Sequence, residues 1–337
     1  MNNYYITCGK REAQNDFPTH LISGIPSFLK AAILPPVESV LREHQVKAAV
    51  LGLPWEHTNT CRPGASMGPR AVRNATDHYL SYHGEFQVDL FNALNLVDCG
   101  DVQIMPGNAK VTFERAEECL LNIINAGAVP FVFGGDDSCP IPVTSAVSKT
   151  CQKGNIGYIH FDAHLDTAKD VGGELLNHAC PVSRTAELPN CRGENVAIVG
   201  INGALNPPEE IDYCRENGIH VYSIWDIEER GVDTVIADII EKVWAPGVEK
   251  VVLQTDLDCM DQAFVPGITT PETGGLTPRE MLKFVRAFAK KGIAAYVIAE
   301  CSPVYDPANI SARVAVRLAM DAMGTIANPN GSGRISK

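Results

Sequence analysis

The sequence has no closely spaced cysteine pair, no basic excess, no long apolar run and no linker-like stretch of Pro, Gly and Ser. Its 11 cysteines are scattered over 337 residues, which excludes a small disulfide scaffold and a structural zinc site. They are expected to be reduced thiols packed as small apolar side chains in a cytoplasm. No segment approaches the length of a membrane span, and MNNYYITCGKREAQNDF lacks the basic stretch and apolar core of a secretory signal. Lys and Arg number 28 against 40 Asp and Glu, a formal net charge of −12. That balance argues against nucleic-acid or anionic-membrane partners and is compatible with a cationic substrate. No internal repeat is visible, and only the end, NPNGSGRISK, reads as flexible. One domain over residues 1–326 with a tail at 327–337 is the expected organisation.

Carboxylates, by contrast, are abundant and placed in a pattern. GGDDS (Gly134–Ser138) follows VPFVF, DAHLD (Asp162–Asp166) follows IGYIHF, and DLDCMD (Asp256–Asp261) follows VEKVVLQT. Short apolar runs of this kind read as buried parallel strands. Carboxylates at their ends must be desolvated, which is costly unless cations answer the charge. Turns and helix caps would explain any one cluster, but three together point to a shared metal site at the carboxyl ends of a sheet. On an extended segment Asp162, His164 and Asp166 would share one side, as would Asp256 and Asp258. Carboxylate and imidazole donors favour a hard catalytic ion, Mn²⁺ or Ni²⁺.

Strand-like runs occur at Lys47–Gly52, Asn95–Val97, Val129–Gly134, Ile156–Phe161, Val196–Ile201, Ile219–Ile224, Val251–Thr255 and Ala294–Glu300, alternating with helical patterns. The clearest helix is Thr277–Lys291, where Thr277 and Glu280 form a capping box, Pro278 occupies the first turn and Gly292 is the stop. This alternation predicts an α/β fold with a parallel sheet covered on both faces.

The motifs, taken in order, resemble those of the ureohydrolase family of arginases, agmatinases and guanidinobutyrases. They are CRPGASMGPRAVR (Cys61–Arg73), VDCGDV (Val97–Val102), the three acidic clusters, ITTPETGGLT (Ile268–Thr277) and AECSPVYDPANISARVAV (Ala299–Val316). The resemblance implies a three-layer α/β/α arginase-like fold and a pair of divalent cations. It also implies that Asp162 and Asp256 bridge the two cations, that Asp166 completes the first site, and that His164 and Asp258 complete the second. Glu272 would accept the substrate's guanidinium hydrogen bonds, and His178, in LLNHACP, would shuttle a proton to the departing amine. A trimer or hexamer, of one chain or of mixed subunits, is implied as well.

Two departures stand out. The family's first cluster reads Gly-Gly-Asp-His-Ser, with the His on the first metal, whereas this chain has Asp137. If Asp137 ligates, the first site is all carboxylate, made of Asp137, Asp162, Asp166 and Asp256; if it does not, the site is weak or empty. Ahead of His178 the chain reads AKDVGGELLNHAC, without the Ser-x-Asn stretch that reads an α-amino acid, and Ala179 stands where the family has Gly. Arginine is therefore disfavoured against agmatine, guanidinobutyrate, guanidine or the biguanide metformin. Two other classes stay open: a regulatory subunit of a mixed ureohydrolase, and a mononuclear deacetylase of the same fold. Cys139, Cys180 and Cys259, beside these residues, are expected to pack, with tuning of the site or oxidation sensitivity as the alternatives.

Overall fold

A computed structural model of the protein describes residues 25–331, so the N-terminal stretch and residues 332–337 of the expected tail lie outside the described residues. The strands are β1 (Ala32–Ile33), β2 (Ala48–Leu53), β3 (Tyr82–His83), β4 (Val88–Asp89), β5 (Val97–Asp101), β6 (Val129–Gly134), β7 (Asn155–Phe161), β8 (Cys191–Ile201), β9 (His220–Ser223), β10 (Val248–Asp256) and β11 (Ala295–Ala299). The helices are α1 (Glu38–Glu43), α2 (Gly68–Ala75), α3 (Leu90–Leu94), α4 (Ala109–Asn125), α5 (Pro140–Lys149), α6 (Pro181–Ala186), α7 (Pro208–Asn217), α8 (Ile224–Arg230), α9 (Val232–Val243), α10 (Pro278–Lys291) and α11 (Ile310–Ala327). Nine strands form one sheet in the order β1-β5-β2-β6-β11-β10-β7-β8-β9, with every neighbouring pair parallel. The remaining two, β3 and β4, pair with each other in antiparallel fashion.

Successive side chains of a strand leave the sheet on opposite faces, and here each face meets its own core. Val50, Phe131, Phe133 and Leu253 pack with Val72, Ile239, Phe284 and Val316 from α2, α9, α10 and α11. Their neighbours Leu51, Val132 and Val252 pack with Leu120, Val143 and Val182 from α4, α5 and α6. The result is the expected three-layer arrangement, and it explains why β2 and β11 are buried along their whole length. Helix α10 forms where the capping box, Pro278 and Gly292 placed it; Met281, Phe284, Val285, Phe288 and Ala289 recur at helical spacing and are all buried. Among the described residues no helix is long and apolar enough to cross a membrane.

Strand boundaries differ from expectation where side-chain chemistry competes with hydrophobicity. The run Ile219–Ile224 yields only β9, because Ser223 and Asp226 form a capping box that begins α8 at Ile224. The run at Asn95–Val97 instead becomes β5, which carries two acids and a glycine in five residues. The acids are tolerated because Arg73 of α2 reaches them. Its Nε lies 2.8 Å from Asp98 Oδ2, its Nη2 3.0 Å from Asp98 Oδ1, and its Nη1 2.6 Å from Asp101 Oδ1. Asp98 also accepts from the backbone N–H groups of Phe28 and Gly100.

Arg73 and Asp98 are both buried, so removing the guanidinium strands a carboxylate in the interior. Arg73→Met is expected to cost about 3–5 kcal/mol of stability, read as a lower urea midpoint with an unchanged slope. A midpoint within error of the parent would show that Asp98 is answered by its backbone donors alone.

Candidate metal centre

All nine strands of the sheet run parallel, so the segments leaving β6, β11, β10 and β7, four neighbours, emerge at one edge. Three of these segments use the same local device. A carboxylate at the end of the strand accepts the backbone N–H two residues on: Asp136 Oδ1 from Ser138 (3.1 Å), Asp162 Oδ1 from His164 (2.6 Å) and Asp256 Oδ1 from Asp258 (2.7 Å). Close packing fixes the first loop further, since a Cβ on Gly135 would stand 1.8 Å from the Trp55 carbonyl oxygen. Asp136 Oδ2 accepts from the N–H groups of His57 (3.0 Å) and Thr58 (3.3 Å), so Asp136 organises the loop while Asp137 faces inward.

The structure brings Asp162, His164 and Asp258 into one group and Asp137, Asp162, Asp166 and His160 into another, with donor atoms of each group within 4.8 Å of one another. Asp162 belongs to both. His164 Nδ1 lies 3.1 Å from Asp162 Oδ1 and 3.2 Å from Asp258 Oδ2. Asp256 is buried and close enough to push up the Asp137 carboxyl, but it belongs to neither group. DAHLD is not extended as expected: β7 ends at Phe161, and Asp166 takes φ 51°, the left-handed turn that aims its carboxylate back toward Asp162. Asp137 Oδ2, Asp162 Oδ2, His160 Nε2 and His164 Nε2 are buried without a hydrogen-bond partner. His160 Nε2 faces Asp162 Oδ2 and Asp137 Oδ2, and orphaned buried groups facing one another are what a cation would satisfy, so these residues fit a divalent metal.

Electrostatics agree. Burial, then neighbouring carboxylates, push Asp137, Asp166 and Asp256 well above the usual carboxylate range, and Asp258 is raised to about 6. Burial would also raise Asp162, but the imidazoles of His160 and His164 outweigh it and hold this carboxyl low.

Beside this centre lies a cavity of about 170 Å³ lined by His164, Asp166, His178, Glu210, Val171 and Leu205 among others. His178 is held by Thr58, whose Oγ1 accepts its backbone N–H at 3.0 Å and lies 3.2 Å from its Nδ1; burial lowers its pKa. Glu272 is half-buried and away from this lining. Its carboxylate fills the space a Cβ on Gly203 (φ 76°) would need. Three acidic or basic groups escaped the sequence reading. Glu210 lines the cavity. Glu300, at φ 64° after β11, is buried, accepts the Asp137 N–H at 2.8 Å and is engaged by the Thr269 hydroxyl. His160 lies inside the apolar run of β7, with Nε2 toward the carboxylates. Only the polar residue in IGYIHF signalled it. Cys139, Cys180 and Cys259 are fully buried, and burial raises their thiols, in keeping with packing.

A sequence profile for the arginase family matches residues 46–324. The chain is 29% identical to proclavaminate amidinohydrolase of Streptomyces clavuligerus over 89% of this chain and 92% of that protein. A solved structure of that amidinohydrolase superposes with a TM-score of 0.80 at 28% identity, covering 91% of this chain and 99% of the other. The agmatinase of Enterobacter sp. (strain 638) is 30% identical over 81% of this chain and 85% of its own. The guanidinopropionase of Pseudomonas aeruginosa is 27% identical over 93% and 97%.

The raised carboxyls carry a testable consequence for the metal-free protein. Folded Asp258 binds protons more tightly than the unfolded chain, so its stabilising contribution is full below about pH 4 and is lost as pH rises through about 6. Asp137, Asp166 and Asp256 act in the same direction, and Asp162 opposes them. The denaturation midpoint of metal-free protein should therefore fall between about pH 4 and 7. Saturating Mn²⁺ should restore it at neutral pH and release protons, read by calorimetry in buffers of different ionisation enthalpy. A flat midpoint with no proton release would refute the assignment of these carboxyls to a cation site.

Proposed function

The chain belongs to the arginase family of metal-dependent ureohydrolases, and from that premise we propose that it cleaves a C–N bond of a small guanidino compound using two divalent cations, Mn²⁺ or Ni²⁺. The observation that carries this reading is the pair of buried donor groups sharing Asp162 and bordering the cavity that His178 lines. Asp162, His164 and Asp258 would hold one cation; Asp137, Asp162 and Asp166, with Asp256 alongside, would hold the other. When bound, the pair supplies Lewis acidity toward a water nucleophile near neutral pH.

The chain's own groups do the rest. The Thr58 hydroxyl lies 3.3 Å from Asp136 Oδ2 and donates to it, which leaves its oxygen to accept from His178. An N–H at His178 Nδ1 facing that oxygen keeps Nε2 as the basic nitrogen. With its pKa lowered by burial, His178 is neutral at pH 7 and suited to take a proton and pass it to the departing amine.

The cavity lining supports a substrate class. Glu210 and Asp166 offer carboxylates to a planar cation, while Val171, Ala179 and Leu205 make the mouth apolar. No Lys or Arg among the described residues lines the cavity to pair an α-carboxylate. This favours agmatine, guanidine or a biguanide over arginine, with guanidinobutyrate between them. For Glu272 we propose a place at the rim, close to Gly203, rather than beneath the reacting carbon. A mononuclear deacetylase would need only the group at His164, and a non-catalytic subunit would lack the first site, so cation counting separates both from this reading.

Product assays across agmatine, guanidinobutyrate, guanidine, metformin and arginine are expected to show release of urea or a urea derivative from a small guanidino compound or biguanide, with arginine the poorest. His178→Ala should lower kcat by about 10²–10⁴-fold without changing cation content. Arginine as the fastest substrate would overturn the specificity reading, and undiminished kcat in His178→Ala would remove the proton-transfer assignment.

A further inference from the structure

His160 lies on β7, opposite Gln254 of β10 in the parallel ladder, and is completely buried. Its Nδ1 is 2.9 Å from the hydroxyl of Tyr158, itself fully buried. Its other nitrogen, Nε2, points into the carboxylate cluster, 3.0 Å from Asp162 Oδ2, 3.8 Å from Asp137 Oδ2 and 4.0 Å from Asp166 Oδ2. It makes no hydrogen bond with any of them. Across the cluster, Gln254 Nε2 donates to Asp137 Oδ1, so the oxygen of Asp137 left unpaired is Oδ2, the one facing His160.

We propose that His160, through Nε2, supplies the imidazole ligand of the first cation site, completing a set of Asp137, Asp162 and Asp166. This rests on the reading of the centre as a metal site and goes beyond it, because the imidazole missing from the loop after β6 is re-supplied from β7, three strands along the sheet. Donor atoms about 2.1 Å from a common centre stand about 3.0 Å apart at right angles and about 4.2 Å apart when opposed. The separations from Nε2, 3.0 to 4.0 Å, fall in that interval. An imidazole that ligates through one nitrogen has its tautomer and ring plane set by what the other nitrogen meets. At His160 that partner is the Tyr158 oxygen, which accepts from Nδ1–H and leaves the Nε2 lone pair free for the cation. Tyr158 and Gln254 are positioning residues: one orients the imidazole, the other turns Asp137.

The alternative is an ion pair, with protonated His160 answering Asp162 in place of a cation. Full-length protein, stripped of metal and reloaded with Mn²⁺, separates the two by elemental analysis and by pulsed electron paramagnetic resonance of nitrogen coupled to the metal. Wild type is expected to hold two cations and show two coordinated imidazoles, from His160 and His164. His160→Gln should hold one cation and show one imidazole. Tyr158→Phe should keep the fold and bind the first-site cation about 10–100-fold more weakly. A single cation in wild type, only one nitrogen signal, or two cations of unchanged affinity in His160→Gln would each overturn the proposal. If His160→Gln does not fold, the wild-type nitrogen count and Tyr158→Phe decide. Failure of the proposed activity is read separately: a wild type that turns over no guanidino compound but holds two cations with two imidazoles keeps the ligand and loses the substrate class.

Discussion

Burying many negative charges at one edge of a parallel sheet is the constraint that the rest of this structure answers. Asp136, Asp137, Asp162, Asp166, Asp256, Asp258 and Glu300 are all withdrawn from water. A single buried charge left without a partner costs several kcal/mol, so no folded state keeps this set ionised without compensation. Part of the answer is local: Asp136, Asp162 and Asp256 each spend one oxygen on the N–H two residues ahead. That turn fixes the rotamer and commits half of each carboxylate. For Asp162 the committed oxygen is Oδ1, and Oδ2 is the one left unpaired. Protonation answers the remaining charge when no cation is present, which is why so many of these groups titrate high.

Topology makes the convergence possible. In the order β6-β11-β10-β7, four loops from distant parts of the chain leave the sheet side by side. Two hydrophobic cores, one per face, hold those strand ends rigidly. A site on element ends inherits that rigidity. His178 comes instead from a loop and is tied in through Thr58 to Asp136, so its placement depends on the acidic cluster beside it.

Most of the architecture was legible because buried parallel strands announce themselves as apolar runs, and α10 because its cap, first turn and stop agree. What stayed hidden shares one physical cause. Polar side chains inside a strand are read as evidence against the strand, yet Asp98 in β5 is there because Arg73 of α2 answers it, and His160 in β7 because Tyr158 takes its Nδ1 while its Nε2 faces the carboxylates. Their partners, Arg73 of α2 and the carboxylates beyond β7, are remote in sequence or contribute only once the chain has folded. The acidic clusters were visible as metal-ligand candidates, but which oxygen faces inward was not. Left-handed backbone at Asp166 and Glu300 turns carboxylates in directions that extended alternation does not give. Likewise Glu210, on α7, reaches the cavity by packing and not by any motif.

Position 137 illustrates how a site absorbs a substitution that looks disabling in one dimension. Reading the loop alone, Asp in place of an imidazole adds a fourth carboxylate to the first site and weakens its Lewis acidity. In three dimensions the count changes. With His160 as proposed, the carboxylates Asp137, Asp162 and Asp166 are joined by an imidazole, so the first site is not all carboxylate. Gln254, paired across the ladder with His160, also donates to Asp137, so the residues on either side of β7 and β10 act on the same carboxylate. The charge balance of the centre is thus a property of adjacent strands and not of the GGDDS loop. A departure in that loop is interpretable only together with positions 160 and 254.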